Sequence, residues 1–443
     1  MQLITSLAWS TAFRLVGVGS AFLVNVVLAR LLSPDSLGQY LIGFSLVMFV
    51  AIFMRFGVKQ TAMKLAAEAR NSGDEDLLNS TVFSLLIYAL TATLTVAVFL
   101  LAGLADWIFL RFFDSPQLAD AKFWFVLWCA FIALAAPVGE ALRGLHRPGW
   151  GVALDMSAQS TLVLGAATAL LFSGAQISLE AILKVWCAVS FCVLLAGFFR
   201  LSSLASVRPP VGSRTVAFRD VFHSAWPVFA LNVSRYLTAN AALWIVGNVL
   251  GHSDAALYGV AVKIYNLLAV PLLLVELGLG PHIADYLHRQ QSEYLEALLR
   301  VSALAAFSLT LFTALLLVFF GESLLVLAFG DYYSGAHQVL LILVLGNVVN
   351  VLTGSCSTVL LLAGVQRRLA LINSLSALLG IGLSLVLVPQ MGILGAGVST
   401  VLAVALANGV MWISVREYLG INTGISLTLK PHYLLLKTRG SSL

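Results

Sequence analysis

Residues 7–28 read LAWSTAFRLVGVGSAFLVNVVL, and this apolar stretch decides how the rest of the chain is interpreted. It is long enough to cross a bilayer, which takes about 20 apolar residues in a helix. It nevertheless contains Arg14 and, near its far end, Asn25. A second such stretch, residues 221–250, contains Arg235. Because a charge at bilayer depth is costly, both arginines are predicted to face a polar cavity or a polar partner.

The composition identifies a membrane protein. Hydrophobic residues make up 60% of the 443 residues, charged residues make up 10%, and the mean hydropathy is +0.97. A soluble domain is about half apolar and a quarter charged. Spans and short loops use up most of the chain, so no large soluble domain and no enzyme is expected. The net charge of +5 is assigned to loops on one side of the membrane and implies no nucleic-acid partner.

The four cysteines lie in apolar stretches and show no metal-ligand spacing with histidine. They are interpreted as packing residues, since a free cysteine behaves as a small buried hydrophobic residue. No metal and no cofactor is therefore expected. The acidic run Asp74–Asp76 resembles the metal-binding D-x-D of glycosyltransferases, but its short loop favours a solvated acidic turn.

Twelve spans are predicted from apolar runs and charged interruptions. They are residues 7–28, 41–58, 81–104, 123–141, 150–172, 181–199, 221–250, 257–280, 298–319, 338–362, 369–388 and 393–415. Residues 59–70 have a helical pattern and are predicted to lie on the inner membrane surface. With both termini placed in the cytoplasm, eighteen of the 25 Lys and Arg residues fall on the inner side, as the positive-inside rule requires.

The chain contains an internal repeat. Three pairs of landmarks are separated by 219 to 221 residues. Each pair lies at the same place in a six-span unit, and six is an even number, so the two copies run in parallel around a central cavity. The pairs are Ser33–Asp35 with His252–Asp254, Arg55–Gly57 with Glu276–Gly278, and Leu142–Arg147 with Leu362–Arg367.

The fold class predicted is thus all-α, with about twelve transmembrane helices in two parallel six-helix repeats. The domain boundaries follow from the repeat and from the basic, proline-containing stretch between its copies. We expect a first bundle over residues 1–200, a cytoplasmic linker over 201–220, a second bundle over 221–415 and a cytoplasmic tail over 416–443.

Two stretches carry a resemblance to a known family. Residues Val27–Val50, VLARLLSPDSLGQYLIGFSLVMFV, resemble the opening of polysaccharide biosynthesis flippases of the multidrug/oligosaccharidyl-lipid/polysaccharide exporter superfamily. Residues Leu360–Thr400, LLLAGVQRRLALINSLSALLGIGLSLVLVPQMGILGAGVST, resemble the late helices of the same proteins. The resemblance implies an O-antigen-flippase-like protein that moves a polyprenyl-pyrophosphate-linked oligosaccharide from the inner to the outer leaflet for cell-surface polysaccharides such as O-antigen or exopolysaccharide.

The resemblance also implies in which membrane the protein lies, which partners it has and which residues line its cavity. It places the chain in the bacterial cytoplasmic (inner) membrane, with a lipid-linked oligosaccharide, the bilayer and other polysaccharide-assembly membrane proteins as partners. The family has cationic residues in its first, second, seventh and eighth spans. Arg14, Arg55, Arg235 and Lys263 occupy those spans here, whereas Glu276 departs from a purely cationic lining.

An anionic pyrophosphate suits arginine, which binds phosphate oxygens bidentately and stays charged. Polar residues near the intramembrane charges are candidate partners of sugar hydroxyls, although snorkelling or contacts between helices explain them as well. The candidate substrate-binding residues are Arg14, Asn25, Asn232, Arg235, Tyr236, Asn240 and Lys263.

Arg55 and Glu276 occupy equivalent positions in the two repeats and are predicted to pair as a gate across the inner mouth. Glu140 and Asp155 lie at inner helix ends, where they either bind a coupling ion or proton or serve as interfacial caps.

Two other functions remain open at this stage. A cation-coupled exporter of drugs or metabolites in the same superfamily usually has a carboxylate in the first or seventh span. Here residues 9–28 and 227–250 contain arginine and no Asp or Glu, which favours an anionic cargo. A membrane glycan polymerase or ligase needs a large outer catalytic loop, and the predicted outer loops are short.

Overall fold

The computed structural model describes residues 2–56, 58–145, 147–173, 177–204, 218–268 and 270–425. Within these ranges the chain is helical, without a β-strand. The first half contains α1 (Gln2–Leu31), α2 (Pro34–Arg55), α3 (Val58–Asn71), α4 (Glu75–Phe99), α5 (Pro116–Asp120), α6 (Lys122–Gly144), α7 (Pro148–Ala153), α8 (Met156–Ser173) and α9 (Leu179–Ser202). The second contains α10 (Phe218–Val249), α11 (His252–Leu268), α12 (Val270–His288), α13 (Ser292–Phe329), α14 (His337–Leu352), α15 (Cys356–Leu362), α16 (Gln366–Met391) and α17 (Ile393–Leu419).

Eight helical segments in the described part of the chain are long and apolar enough to cross a membrane, and two shorter apolar ones accompany them at Leu15–Leu31 and Ala158–Ser173. In the part of the chain that the structure describes, each of the twelve predicted spans lies mainly on helix. Four of them extend over two α-helices: residues 41–58 reach the first residue of α3, residues 150–172 lie on α7 and α8, residues 257–280 on α11 and α12, and residues 338–362 on α14 and α15. The surface helix predicted over residues 59–70 is α3.

The chain divides into two compact units. Unit 1 consists of Met1–Val233 and Gly251–Ala256, and unit 2 consists of Ser234–Leu250 and Leu257–Leu443. Helices α10 and α11 therefore contribute their first residues to unit 1 and the remainder to unit 2. The predicted linker lies largely outside the described residues, as does the tail beyond residue 425.

The core of unit 1 is aromatic. Trp128 of α6 stacks on Trp186 of α9, with ring centroids 5.0 Å apart, and Phe44 of α2 meets both rings edge-on. The Trp186 indole donates a hydrogen bond to the Tyr40 hydroxyl at 3.2 Å, so the buried polar ends satisfy each other. These contacts join the second, fourth and sixth spans.

Unit 2 packs through small residues. A Cβ added at Gly395 would lie 2.2 Å from the carbonyl oxygen of Leu387, and one at Gly346 would lie 2.5 Å from the Val401 side chain. Ser384 and Ser399 share a hydrogen bond of 2.6 Å between α16 and α17. Small residues allow membrane helices to approach closely, and their hydroxyls then bond across the contact.

Two equivalent contacts, one in each half of the chain, reflect the internal repeat. Tyr40 of α2 and Tyr258 of α11 lie 218 residues apart in the sequence, and both are fully buried. Tyr40 bonds to α9, the sixth span of its half, and the Tyr258 hydroxyl bonds to Thr400 of α17 at 2.9 Å, again in the sixth span. The two halves thus place a tyrosine of the second span against the sixth in the same way.

Candidate functional site

The candidate residues of the seventh span lie along α10. Asn232, Tyr236 and Asn240 are spaced by four residues, so they share one face of the helix, and Arg235 adjoins it. Arg235 is exposed, whereas the other three are half-buried. The Asn240 amide donates to the carbonyl oxygen of Tyr236 at 3.1 Å, and the Tyr236 ring lies 6.4 Å from the Trp244 ring. The face therefore offers a cation, a phenol and amides in one row.

Neighbouring residues fix the orientation of this face. The hydroxyl of buried Ser234, one residue before Arg235, shares a hydrogen bond of 2.7 Å with Ser374 of α16. Thr238 donates to the carbonyl oxygen of Ser234 at 3.0 Å. Because Ser234 points into unit 2, the adjacent arginine points away from that packing, which explains its exposure. Lys263, on α11 in the same unit, is half-buried.

Of the two candidate residues in the first span, the structure describes the side chain of Asn25 and not that of Arg14. The side chain of Arg14 lies outside the described residues, so its role stays a prediction. Asn25 is only 7% exposed, and its amide nitrogen donates to the carbonyl oxygen of Ala21 at 2.6 Å. Within the described part of the chain, its Oδ1 atom is buried without a donor. Asn25 thus presents one unsatisfied acceptor inside an apolar helix, which is costly unless a ligand or water meets it.

The structure describes the side chain of one of the two predicted gate residues, Arg55. Glu276 lies on α12, but its side chain is outside the described residues, so its pairing with Arg55 stays a prediction. Arg55, the last residue of α2, lines a cavity of about 160 Å³ within unit 1. Glu140, Asp155 and Gln159 line the same cavity. Arg55 therefore lies within reach of a second set of charged groups that the sequence did not connect with it.

A partly buried ion-pair network borders this cavity. Glu140 is 7% exposed and accepts from the Arg143 guanidinium at 2.8 Å. The same guanidinium donates to the carbonyl oxygen of Gly151 at 3.0 Å and lies 3.8 Å from Asp155. Glycine is needed at position 151, since a Cβ there would lie 2.2 Å from the Arg143 side chain. Arg143 thereby connects α6 with α7 and with the start of α8.

This network was not predicted from the sequence, in which Glu140 and Asp155 lie at separate helix ends. The signal available was the i,i+3 spacing of Glu140 and Arg143, which places both side chains on one face of a helix. A further polar pair lies deeper: buried Ser190 of α9 donates to the Gln159 amide oxygen of α8 at 2.8 Å. Unit 1 thus contains a charged and polar interior beside a cavity.

Removing Arg143 is expected to destabilise the protein strongly. Arg143→Met removes the ion pair of a buried carboxylate, that of Glu140, and breaking a buried pair costs about 3–5 kcal/mol. The matched control is Lys184→Met, which removes an ion pair with Glu180 whose side chains are both about half exposed; it should cost less than about 1 kcal/mol. Thermal unfolding in detergent measures both. Equal shifts for the two variants would contradict the network.

The acidic run Asp74–Asp76 is a helix start. The Asp74 carboxylate accepts from the backbone N–H groups of Asp76 and Leu77, each at 3.0 Å, and so caps α4. Among the described residues, no group of three or more His, Cys, Asp or Glu side chains is arranged to hold a metal ion.

Comparison with known families gave two matches. The family model described as "Polysaccharide biosynthesis protein" matches residues 3–275. A second model, MatE, matches residues 227–386. Among curated protein sequences, none matches the chain significantly.

The chain is similar to several solved membrane proteins. An inward-facing multidrug resistance MATE family transporter of the MOP superfamily shares 15% identity at a TM-score of 0.74, over 91% of this chain and 94% of that one. Lipid II flippase MurJ, in an inward closed conformation, shares 13% identity at 0.72, over 92% and 87%. The Vibrio cholerae MATE transporter VcmN in its bent form shares 13% at 0.64, over 95% and 97%. At these identities the likeness establishes a common fold.

Proposed function

Because the chain belongs to the family of polysaccharide biosynthesis proteins, whose model covers more than half of it, we propose that it is a flippase for polyprenyl-pyrophosphate-linked oligosaccharides. Family membership confirms the resemblance suggested by residues 27–50 and 360–400. The MATE and MurJ neighbours confirm the all-α membrane fold. The chain is a multi-pass membrane protein of the MOP superfamily. The proposal concerns the identity of its cargo.

The observation that carries the proposal is the exposed Arg235 in the apolar part of α10, residues 227–249, which contains no carboxylate. No Asp or Glu occurs between residues 227 and 250, so this stretch of α10 offers an anion one cation and adds no like charge of its own. A guanidinium binds two oxygens of a pyrophosphate at once and remains charged at any physiological pH. Asn232, Tyr236 and Asn240, with their amide and phenol groups, suit the hydroxyls of the attached sugars.

The proposed mechanism is alternating access, in which the cavity opens first to one side of the membrane and then to the other, and transport needs no chemical step. The polar head enters from the cytoplasmic side, exchanges its hydration for the arginine and amide contacts, and leaves at the outer leaflet, while the polyprenyl tail stays in the bilayer. Arg14, Asn25 and Lys263 are proposed to complete the path, and both termini are proposed to be cytoplasmic. The membrane is the bacterial cytoplasmic membrane.

A second candidate function is cation-coupled export of a small molecule. Two observations favour it: the MatE family model matches residues 227–386, and buried Glu140 borders a cavity of about 160 Å³ in unit 1. A buried carboxylate beside a cavity of this size can bind a proton or a monovalent cation. The same site can also serve a flippase as its coupling site, so it does not by itself decide the cargo.

Deleting the gene in its native host tests the proposal. Mass spectrometry of extracted lipids, with a leaflet-access assay on the same cells, should detect a polyprenyl-pyrophosphate oligosaccharide that accumulates on the inner leaflet. Re-expression of the chain should clear it, and its mass would identify the sugar. If a host without a second flippase accumulates no such lipid, the proposal fails and small-molecule efflux becomes the function to measure.

A further inference from the structure

Helix α2 is held at both of its ends by short segments from the second half of the sequence. Unit 1 contains Gly251–Ala256, the first turn of α11 with its preceding residue, and the first part of α10 up to Val233. One segment contacts the N-terminal end of α2, and the other contacts its C-terminal end. We call these contacts the N-terminal clasp and the C-terminal clasp.

The N-terminal clasp is a close backbone contact. A Cβ added at Gly38 would lie 1.8 Å from the carbonyl oxygen of His252, so only glycine permits the approach. The His252 ring lies between two acceptors: Nε2 is 2.8 Å from the carbonyl oxygen of Phe113, and Nδ1 is 3.5 Å from the Asp35 carboxylate. Gln39 donates to the same carboxylate at 2.8 Å. A few polar contacts and one glycine therefore fasten α11 to α2.

The C-terminal clasp is a stack of aromatic rings. Phe56, which caps α2 in the left-handed conformation at φ 34°, stacks on Phe229 of α10 with ring centroids 4.6 Å apart. Phe53 meets Phe229 edge-on at 5.2 Å, and Trp226 lies 5.7 Å from it. Trp226 remains 52% exposed, so the stack is open to its surroundings on one side.

Both clasps are small enough to be reversible. A single aromatic pair and a single hydrogen bond are each weak interactions, and each clasp consists of only a few of them. By contrast, the Tyr40–Trp186 contact, further along the same helix, is fully buried in the aromatic core of unit 1. Helix α2 is thus held in the core of unit 1, and the contacts described here between α2 and second-half segments lie at its ends.

We propose that the two clasps are released in alternation during transport, the N-terminal one when the outer side opens and the C-terminal one when the inner side opens. The inference rests on the proposed alternating-access function. A transporter needs two discrete arrangements, and contacts that can be made or lost as a unit provide them. Gly38 and the Phe56–Phe229 stack then act as positioning elements for the two closed forms.

Cysteine cross-linking tests the proposal, in protein whose four native cysteines are replaced by alanine. Asp35→Cys with His252→Cys locks the N-terminal clasp, and Phe56→Cys with Phe229→Cys locks the C-terminal one. Ser20→Cys with Thr161→Cys is the control, because these hydroxyls lie 3.0 Å apart between α1 and α8 within unit 1. Either clasp lock should reduce translocation at least tenfold and reductant should restore it, whereas the control lock should leave it within twofold.

A readout that needs no cargo separates this inference from the proposed function. A membrane-impermeant maleimide applied from outside should label Asn240→Cys at least tenfold more slowly when the N-terminal clasp is locked, and reductant should restore the rate. Turnover at the control rate with a clasp locked, or unchanged labelling, would overturn the proposal. If no variant translocates the oligosaccharide but labelling responds as expected, the clasps hold and the proposed cargo is wrong.

Gly38→Val provides the converse test without a cross-link. Its side chain cannot fit against His252, so the N-terminal clasp should open, and outside labelling of Asn240→Cys should rise severalfold. Gly19→Ala is the matched control, since a Cβ at that helical glycine meets nothing within 4 Å. Equal labelling rates for the two variants in properly inserted protein would contradict the clasp.

Discussion

Arg235→Ala is expected to reduce translocation of the lipid-linked oligosaccharide by about tenfold to a hundredfold. A hydrogen bond to a charged group contributes about 1.5–3 kcal/mol, and each 1.4 kcal/mol is about a factor of ten. The arginine is exposed rather than packed, so its removal should leave the fold and the expression level unchanged. Complementation of the deletion strain, with inner-leaflet lipid measured by mass spectrometry, gives the rate.

Two further variants show whether charge or geometry matters. Arg235→Lys keeps the charge but loses the bidentate fork, so it should recover only part of the activity. Arg289→Ala is the matched control, because it removes another exposed arginine, paired locally with Asp285 at 2.7 Å. It should translocate at the wild-type rate. Full activity of Arg235→Ala would contradict the assignment of this residue to the cargo.

Much of the fold could be predicted from the sequence because the bilayer imposes it. A span must satisfy its own backbone hydrogen bonds, so an apolar run of sufficient length has to be helical. All twelve runs are helical for this reason. The helix ends were less predictable, because a helix does not end where its apolar stretch ends. Helix α12, for example, continues beyond residue 280 through polar residues such as Tyr286 to His288.

The candidate site was predictable where one helix carries it. Helical spacing alone places Asn232, Tyr236 and Asn240 on one face of α10. Contacts between helices were not predictable in the same way. The cavity shared by Arg55, Glu140 and Asp155 depends on how α2, α6 and α8 pack, and no spacing within a single helix encodes that packing. The sequence consequently assigned these charges to separate roles.

Arg55→Glu is expected to abolish translocation. The substitution removes a cation from the cavity of unit 1 and adds a carboxylate to a lining that already contains Glu140 and Asp155. Like charges that line one cavity repel each other. Arg55→Lys should retain most of the activity, and Arg111→Glu, at an exposed arginine distant in sequence, serves as the control. Translocation in the deletion strain measures all three.

Arg55→Glu can be combined with a second substitution at each candidate partner. The combination that restores activity identifies the partner of Arg55. We propose that the partner is Glu276, so Glu276→Arg in the same chain should restore translocation to at least a third of the wild-type rate. Rescue by Glu140→Gln instead would place the function of Arg55 in the cavity of unit 1, because it removes the repulsion there, and would contradict the gate. The two rescues act on different helices, α12 and α6, so a double-mutant cycle separates them: only residues that interact show a coupling energy that departs from additivity.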